Sequence, residues 1–163
     1  DEKAIRHADP DTLTRLIASA KADALLEQVR EKYPGGALLL TCDEVIVHKG
    51  VIREKPADEK ECREFLRSYA EAPAECICGV HVANTKTGKR VEGNDVARQH
   101  FHEISEEAIT QLIANGDVMH SAGGFVIEQM EPLLKARDGE VETIIGLPKT
   151  LSLKLLREAC EQQ

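Results

Sequence analysis

The segment Thr41–Pro56, TCDEVIVHKGVIREKP, narrows the choices most. The apolar run Ala37–Leu40 leads into it like a buried strand, and Val45, Ile46 and Val47 resume that pattern. Between them stand Asp43 and Glu44. Two adjacent carboxylates inside such a segment are costly to bury unless they are paired or meet a cation. Lys55 follows a turn at Gly50, on an Arg-Glu-Lys segment that Pro56 keeps extended. An acid on a strand and a lysine on the next extended piece could face one cleft. Such a cleft can hold a metal-bound polyphosphate beside a general base.

The rest of the chain supplies a domain around that strand. Asp9-Pro10-Asp11 reads as a helix start, and Leu13, Leu16, Ile17, Ala20, Ala24 and Val29 recur at helical spacing until Pro34-Gly35-Gly36. Lys21 lies at the edge of that stripe, where a lysine can snorkel to the surface. Ala57–Glu61 opens a second helix. Glu75–Asn84 is a strand with Cys76, Cys78, Val80 and Val82 on one face, and a turn over Asn84–Lys89 joins it to a second strand at Arg90. Ser105 caps a third helix that ends at Asn115-Gly116. Val141–Ile145 reads as extended, and Lys149–Cys160 as a last helix with Leu151, Leu155 and Ala159 inward. The expected fold is one α/β (α+β) domain over 1–163, a mixed twisted sheet flanked by helices.

Composition removes several function classes. The 163 residues carry a formal net charge of −8, which disfavours duplex DNA or RNA, since phosphate contacts need clustered Lys and Arg. Aromatics are 3 % with no Trp, too few for single-strand stacking platforms. No run reaches the roughly 20 apolar residues of a membrane span. The five cysteines lack C-x-x-C spacing and are expected to be reduced, structural thiols. The six histidines show no i,i+4 pair on a predicted helix, and Gly35-Gly36 and Gly123-Gly124 lack the Lys-Ser/Thr of a P-loop.

Several motifs, in order, carry a resemblance. Asp1-Glu2, Ala18-Ser19-Ala20-Lys21-Ala22, Cys42-Asp43-Glu44-Val45, Gly50-Val51-Ile52 with Glu54-Lys55-Pro56, Ala122–Glu128 and Ile145-Gly146-Leu147-Pro148 together resemble the pattern of the Maf family. The resemblance implies a Maf/inosine triphosphate pyrophosphatase-like fold and hydrolysis of a nucleoside triphosphate to monophosphate and pyrophosphate. It also implies a divalent cation, Mg2+ or Mn2+, a cytoplasmic location and a homodimer. The family's Ser-x-Ser-Pro-Arg-Arg phosphate loop has no match here, so a preceding strand and loop are expected in the natural protein.

Roles follow residue by residue. Asp43 is the first choice for catalytic base, deprotonating a water or holding the metal that does. Its alternative is a strand-end carboxylate bonded to a loop amide. Lys55 would neutralise the leaving pyrophosphate, and Lys21 would contact phosphate from the first helix. The resemblance carries Glu2 over as a metal or water contact. Glu44 and Glu128 depart from the family's Thr/Gln and Gln/Glu pairings. An ionised carboxylate only accepts hydrogen bonds, which matches the N1–H and N2–H donors of guanine and not the carbonyl-flanked imide of uracil or thymine. Glu128 therefore leans to a 7-methyl-GTP-like base, with dTTP or UTP hydrolysis, or a non-catalytic nucleotide-binding module, as the other readings. Glu44 is a base contact, a metal ligand or the partner of an arginine.

Overall fold

The computed structural model describes residues 4–161. Glu2 lies outside the described residues. The elements are α1 (Pro10–Lys32), β1 (Leu38–His48), β2 (Val51–Arg53), α2 (Glu59–Ser68), β3 (Ala74–Asn84), β4 (Arg90–Phe101), α3 (Glu106–Asn115), α4 (Ile127–Met130), β5 (Leu134–Asp138), α5 (Val141–Ile144) and α6 (Lys149–Cys160). The strands form a five-stranded antiparallel sheet in the order β2-β1-β3-β4-β5, within the expected α/β class. The central strand is β3, not β1, and this explains why β3 is buried on both faces. No helix among the described residues is long and apolar enough to cross a membrane.

Residues cluster into two compact units. The first comprises the chain up to Glu44, Ile77–Asp95 and the chain from Glu140. The Asp9 side chain accepts from the Thr12 amide and Pro10 occupies the first turn, so α1 starts where its sequence dictates. Its buried face is Leu13, Thr14, Ile17, Ala18 and Ala22, whereas Leu16 and Ala24 of the expected stripe are exposed. The reason is close approach. Small residues at positions 14, 18 and 22 let the helix backbone come down onto the sheet, where β3 presents Gly79. A Cβ built on Gly79 would lie 2.5 Å from the Thr14 carbonyl carbon. The other face of β3 turns Cys78, Val80 and Val82 toward Val91 of β4 and Leu155 and Ala159 of α6, with Leu40, Cys42, Leu151 and Leu156 packed around them.

The second unit comprises Val45–Cys76 and Val96–Gly139. Its core is aromatic. Tyr69 and Phe101 meet at a tilt of 46° with centroids 6.0 Å apart, Phe101 and Phe125 meet edge-on, and the Arg53 guanidinium lies 4.5 Å from the Phe65 ring centroid. Asp58 caps α2 and Ser105 caps α3 through side-chain bonds to backbone amides.

Two elements differ from the expectation. Val141–Ile144 is a helical turn, not extended, and the fifth strand lies earlier, at Leu134–Asp138. Thr143 is fully buried, with its hydroxyl donating to Asp95, and Gly146 ends the turn at φ +86°. Those tertiary demands override the β-branched propensity of the segment. In β5, Leu-Lys-Ala-Arg-Asp has weak strand propensity, but charged residues suit an edge strand.

Candidate active site

The β1–β2 register pairs only Ile46, Val47 and His48 with Arg53, Ile52 and Val51. Residues 38–45 of β1 lie beyond that pairing. Asp43 and Glu44 therefore sit mid-strand, not at a strand end, just where β1 runs past its short neighbour. This accounts for two carboxylates in an apolar run without burying either.

Strand alternation then sends the two acids to opposite faces. Thr41 faces α1, its hydroxyl donating to the Ala18 carbonyl at 2.6 Å. Asp43, two residues on, faces the same helix. Lys21 lies one turn beyond Ala18 and donates to Asp43 Oδ1 at 2.8 Å and to the Cys42 carbonyl at 3.1 Å. The small-residue face that brings α1 onto the sheet also brings Lys21 to the carboxylate. Lys21 is thus no snorkelling residue: its side chain is 31 % exposed and that of Asp43 15 %.

Cys42 and Glu44 point the other way. Cys42 packs with the α6 layer, and its thiol hydrogen-bonds Cys78, which, with Lys21 nearby, lowers the thiol pKa against the opposing effect of burial. Glu44 lies against the turn after α5, where a Cβ on Gly146 would stand 3.0 Å from its Oε2. The Glu44 side chain remains accessible to water, yet the protein atoms around it and then the neighbouring Asp43 raise its pKa above the ordinary 4.5. A raised folded-state pKa favours folding fully below the ordinary value, and that contribution is lost as pH rises through the raised one. Glu44→Gln cannot ionise. Its melting temperature is expected to gain on the parent as pH goes from 4 to 7, modestly because water reaches the group. Melting curves at both pH values check this, and a gap that shrinks toward neutrality would contradict it.

The second unit carries Lys55 and Glu128, both exposed. Lys55 follows β2 on a segment anchored by the Gly123 amide, which donates to the Glu54 carbonyl at 2.9 Å, and by buried Pro56. Gly123 has φ +64°, accepts from the Tyr69 hydroxyl at 2.7 Å, and a Cβ there would stand 2.8 Å from Ile46 Cγ2. Two motifs distant in sequence, around Lys55 and around Gly123, are therefore one packed structure. Glu128 follows that loop, on the single turn of α4.

An open depression of about 690 Å3 lies between Lys89, Thr150, Leu153, Lys154, Arg157, Glu158 and Glu161. Lys89 is occupied there, donating to the Glu158 and Glu161 carbonyls at the end of α6. None of the candidate site residues lines it. No group of three or more His, Cys, Asp or Glu gathers among the described residues, Asp43 is held by an ammonium, and Glu44 turns to the opposite face.

Sequence reasoning missed the roles of Thr41, which fixes the strand to α1, and of Gly79. Of the two, only Gly79 left a trace in the sequence: a glycine inside a strand signals close backbone approach.

A Maf-like protein family model matches residues 1–159. The chain belongs to the Maf-like family. Among Maf-like relatives, a protein of Dictyostelium discoideum named 7-methyl-GTP pyrophosphatase is 52 % identical over 99 % of this chain and 83 % of its own. A nucleoside triphosphate pyrophosphatase of Parasynechococcus marenigrum (strain WH8102) is 29 % identical over 98 % of this chain and 81 % of its own. One from Synechococcus sp. (strain JA-2-3B'a(2-13)) is 31 % identical over 97 % and 79 %. In this Maf-like chain, the Lys21–Asp43 pair joins two of the motifs by which the family resemblance was read.

Proposed function

We infer that this chain is a Maf-like nucleoside triphosphate pyrophosphatase that converts a 7-methyl-GTP-like substrate to the monophosphate and pyrophosphate. The observation that carries the reading is the part-buried Lys21–Asp43 contact at 2.8 Å, in a chain 52 % identical to a 7-methyl-GTP pyrophosphatase. Displacement at phosphorus needs a positioned water and cations near the oxygens that gain charge. Asp43 accepts a hydrogen bond from the attacking water and takes its proton. Lys21 holds that carboxylate in place through bonds to Asp43 and to the neighbouring carbonyl. Lys55, on its anchored segment, offsets charge on the departing pyrophosphate.

Glu128 reads the base. Methylation at N7 leaves the guanine ring with a positive charge, and its N1–H and N2–H then meet a carboxylate that accepts both. Glu44 is a second base contact. The proposed cofactor is Mg2+ or Mn2+, arriving with the triphosphate. The proposed setting is the cytoplasm, which suits a chain whose five cysteines are all thiols. The proposed assembly is a homodimer, to be checked by light scattering of the purified chain.

The test is a panel of 7-methyl-GTP, GTP, UTP and dTTP with Mg2+, measuring pyrophosphate release. The expected result is the highest kcat/KM for 7-methyl-GTP. Glu128→Gln is expected to lower that value by about 10- to 150-fold, the equivalent of the roughly 1.5–3 kcal/mol of a hydrogen bond to a charged group. UTP hydrolysis should change little. An unmoved ratio between the two substrates would remove Glu128 from base selection.

A further inference from the structure

Five cysteines are present, and two of them share one packed layer at the proposed catalytic strand. Cys42 of β1 and Cys78 of β3 stand on neighbouring strands, and Cys42 packs against the buried cluster beneath α6 to which Cys78 belongs. Their exposure is unequal. Cys78 is fully buried at 0 %, whereas Cys42 is only part-buried. Cys42 is the more open of the two and so meets an oxidant first. Cys62 and Cys76 are buried and Cys160 is exposed, the last at the end of α6.

We propose that Cys42 and Cys78 form a reversible oxidation site, in which a hydroperoxide oxidises Cys42 and Cys78 resolves it to a disulfide. The Cys42 sulfur attacks the peroxide O–O bond. An S–O bond forms, the O–O bond breaks, and the thiol proton leaves with the departing oxygen as water or an alcohol. The Cys78 sulfur then attacks the sulfenic sulfur, forming S–S and breaking S–O, with its proton leaving in a second water. Two thiols lose two electrons in total and the peroxide gains them. An accessible thiol with a resolving partner is the arrangement on which such sites are built.

The position gives the bond a consequence. Lys21 donates to the Cys42 carbonyl and to the Asp43 carboxylate together, and Cys42 and Asp43 are consecutive. Drawing the Cys42 sulfur into a covalent bond turns its side chain toward Cys78 and shifts the backbone that carries Asp43. This part of the inference rests on the functional reading given above; the thiol chemistry does not.

The experiment treats the reduced chain with tert-butyl hydroperoxide, traps remaining thiols by alkylation and maps peptides by mass. The expected product is a Cys42–Cys78 cross-link that dithiothreitol reverses, with Cys62 and Cys76 still alkylated. Neither Cys42→Ser nor Cys78→Ala should give an intramolecular cross-link; alanine keeps a small apolar group in the core. Pyrophosphate release should fall at least tenfold on oxidation and return on reduction, in the parent and not in the two variants. Cys42 ending as a sulfinic acid beside an alkylated Cys78, or remaining reduced after Cys160 is consumed, would overturn the proposal. A cross-link that leaves turnover unchanged would overturn its coupling to Asp43. The functional reading would survive that outcome, because Asp43→Asn tests it separately.

Discussion

Asp43→Asn is expected to lower kcat for pyrophosphate release by about 10²- to 10⁴-fold, the usual contribution of a positioned general base. The substitution is nearly isosteric. Its amide oxygen can still accept from Lys21, so the 2.8 Å contact has a neutral replacement and the fold should persist. The ion pair it removes is partly open to water, which limits the stability change to about 1 kcal/mol. A variant with unchanged melting temperature and collapsed kcat assigns the loss to chemistry. Lys21→Met is the complementary form. It removes the group that orients the carboxylate, so kcat falls while Asp43 remains. Rates equal to the parent in Asp43→Asn would take that residue out of the mechanism.

The second large effect concerns the packing that makes the site. Gly79→Ala would put a Cβ 2.5 Å from the Thr14 carbonyl carbon, 2.7 Å from the Arg15 amide nitrogen and 2.8 Å from the Thr14 oxygen. All three are backbone atoms of α1, so the clash cannot be relieved by a rotamer change. Either α1 lifts from the sheet or β3 bends. The expected cost is about 3 kcal/mol, at the upper end for overpacking. For a chain of this size that lowers the melting temperature by roughly 6–12 °C. Gly93→Ala is the internal control, because there the nearest atom is Leu151 Cδ1 at 3.1 Å, the end of a flexible side chain. Its cost should stay below about 1 kcal/mol. Equal melting temperatures for the two would mean that α1 is not seated on the sheet as described. Gly79→Ala should also reduce activity, since lifting α1 withdraws Lys21 from Asp43.

What the sequence disclosed, and what it hid, follows from the range of the interactions involved. Asp9, Pro10, Asp58, Ser105 and Gly116 act within a turn of their own helices, and each element begins or ends where those residues predict. The hairpin at Asn84–Lys89 is equally local, with the Asn84 amide bonded to the Lys89 carbonyl. Asp43 and Lys55 stood out because charge interrupts an apolar run or follows a turn. The buried face of α1 did not, because it is built from Thr14, Ala18 and Ala22, while the more apolar Leu16 faces solvent. Hydropathy ranks Leu above Thr; close approach to the sheet ranks them the other way. Asp43 and Glu44 read as one acidic pair in sequence, yet alternation separates them, one to Lys21 and the other to Gly146. The exchange of strand and helical turn around Gly139 has the same origin, since the partners that decide it, Asp95 and β4, lie far along the chain.

The most direct measurement follows 7-methyl-GTP by phosphorus NMR as the purified chain acts on it, beside Asp43→Asn under the same conditions. The account predicts 7-methyl-GMP and pyrophosphate as the first products from the parent, and almost none from the variant. Release of orthophosphate with a nucleoside diphosphate, or equal pyrophosphate from both proteins, would contradict it.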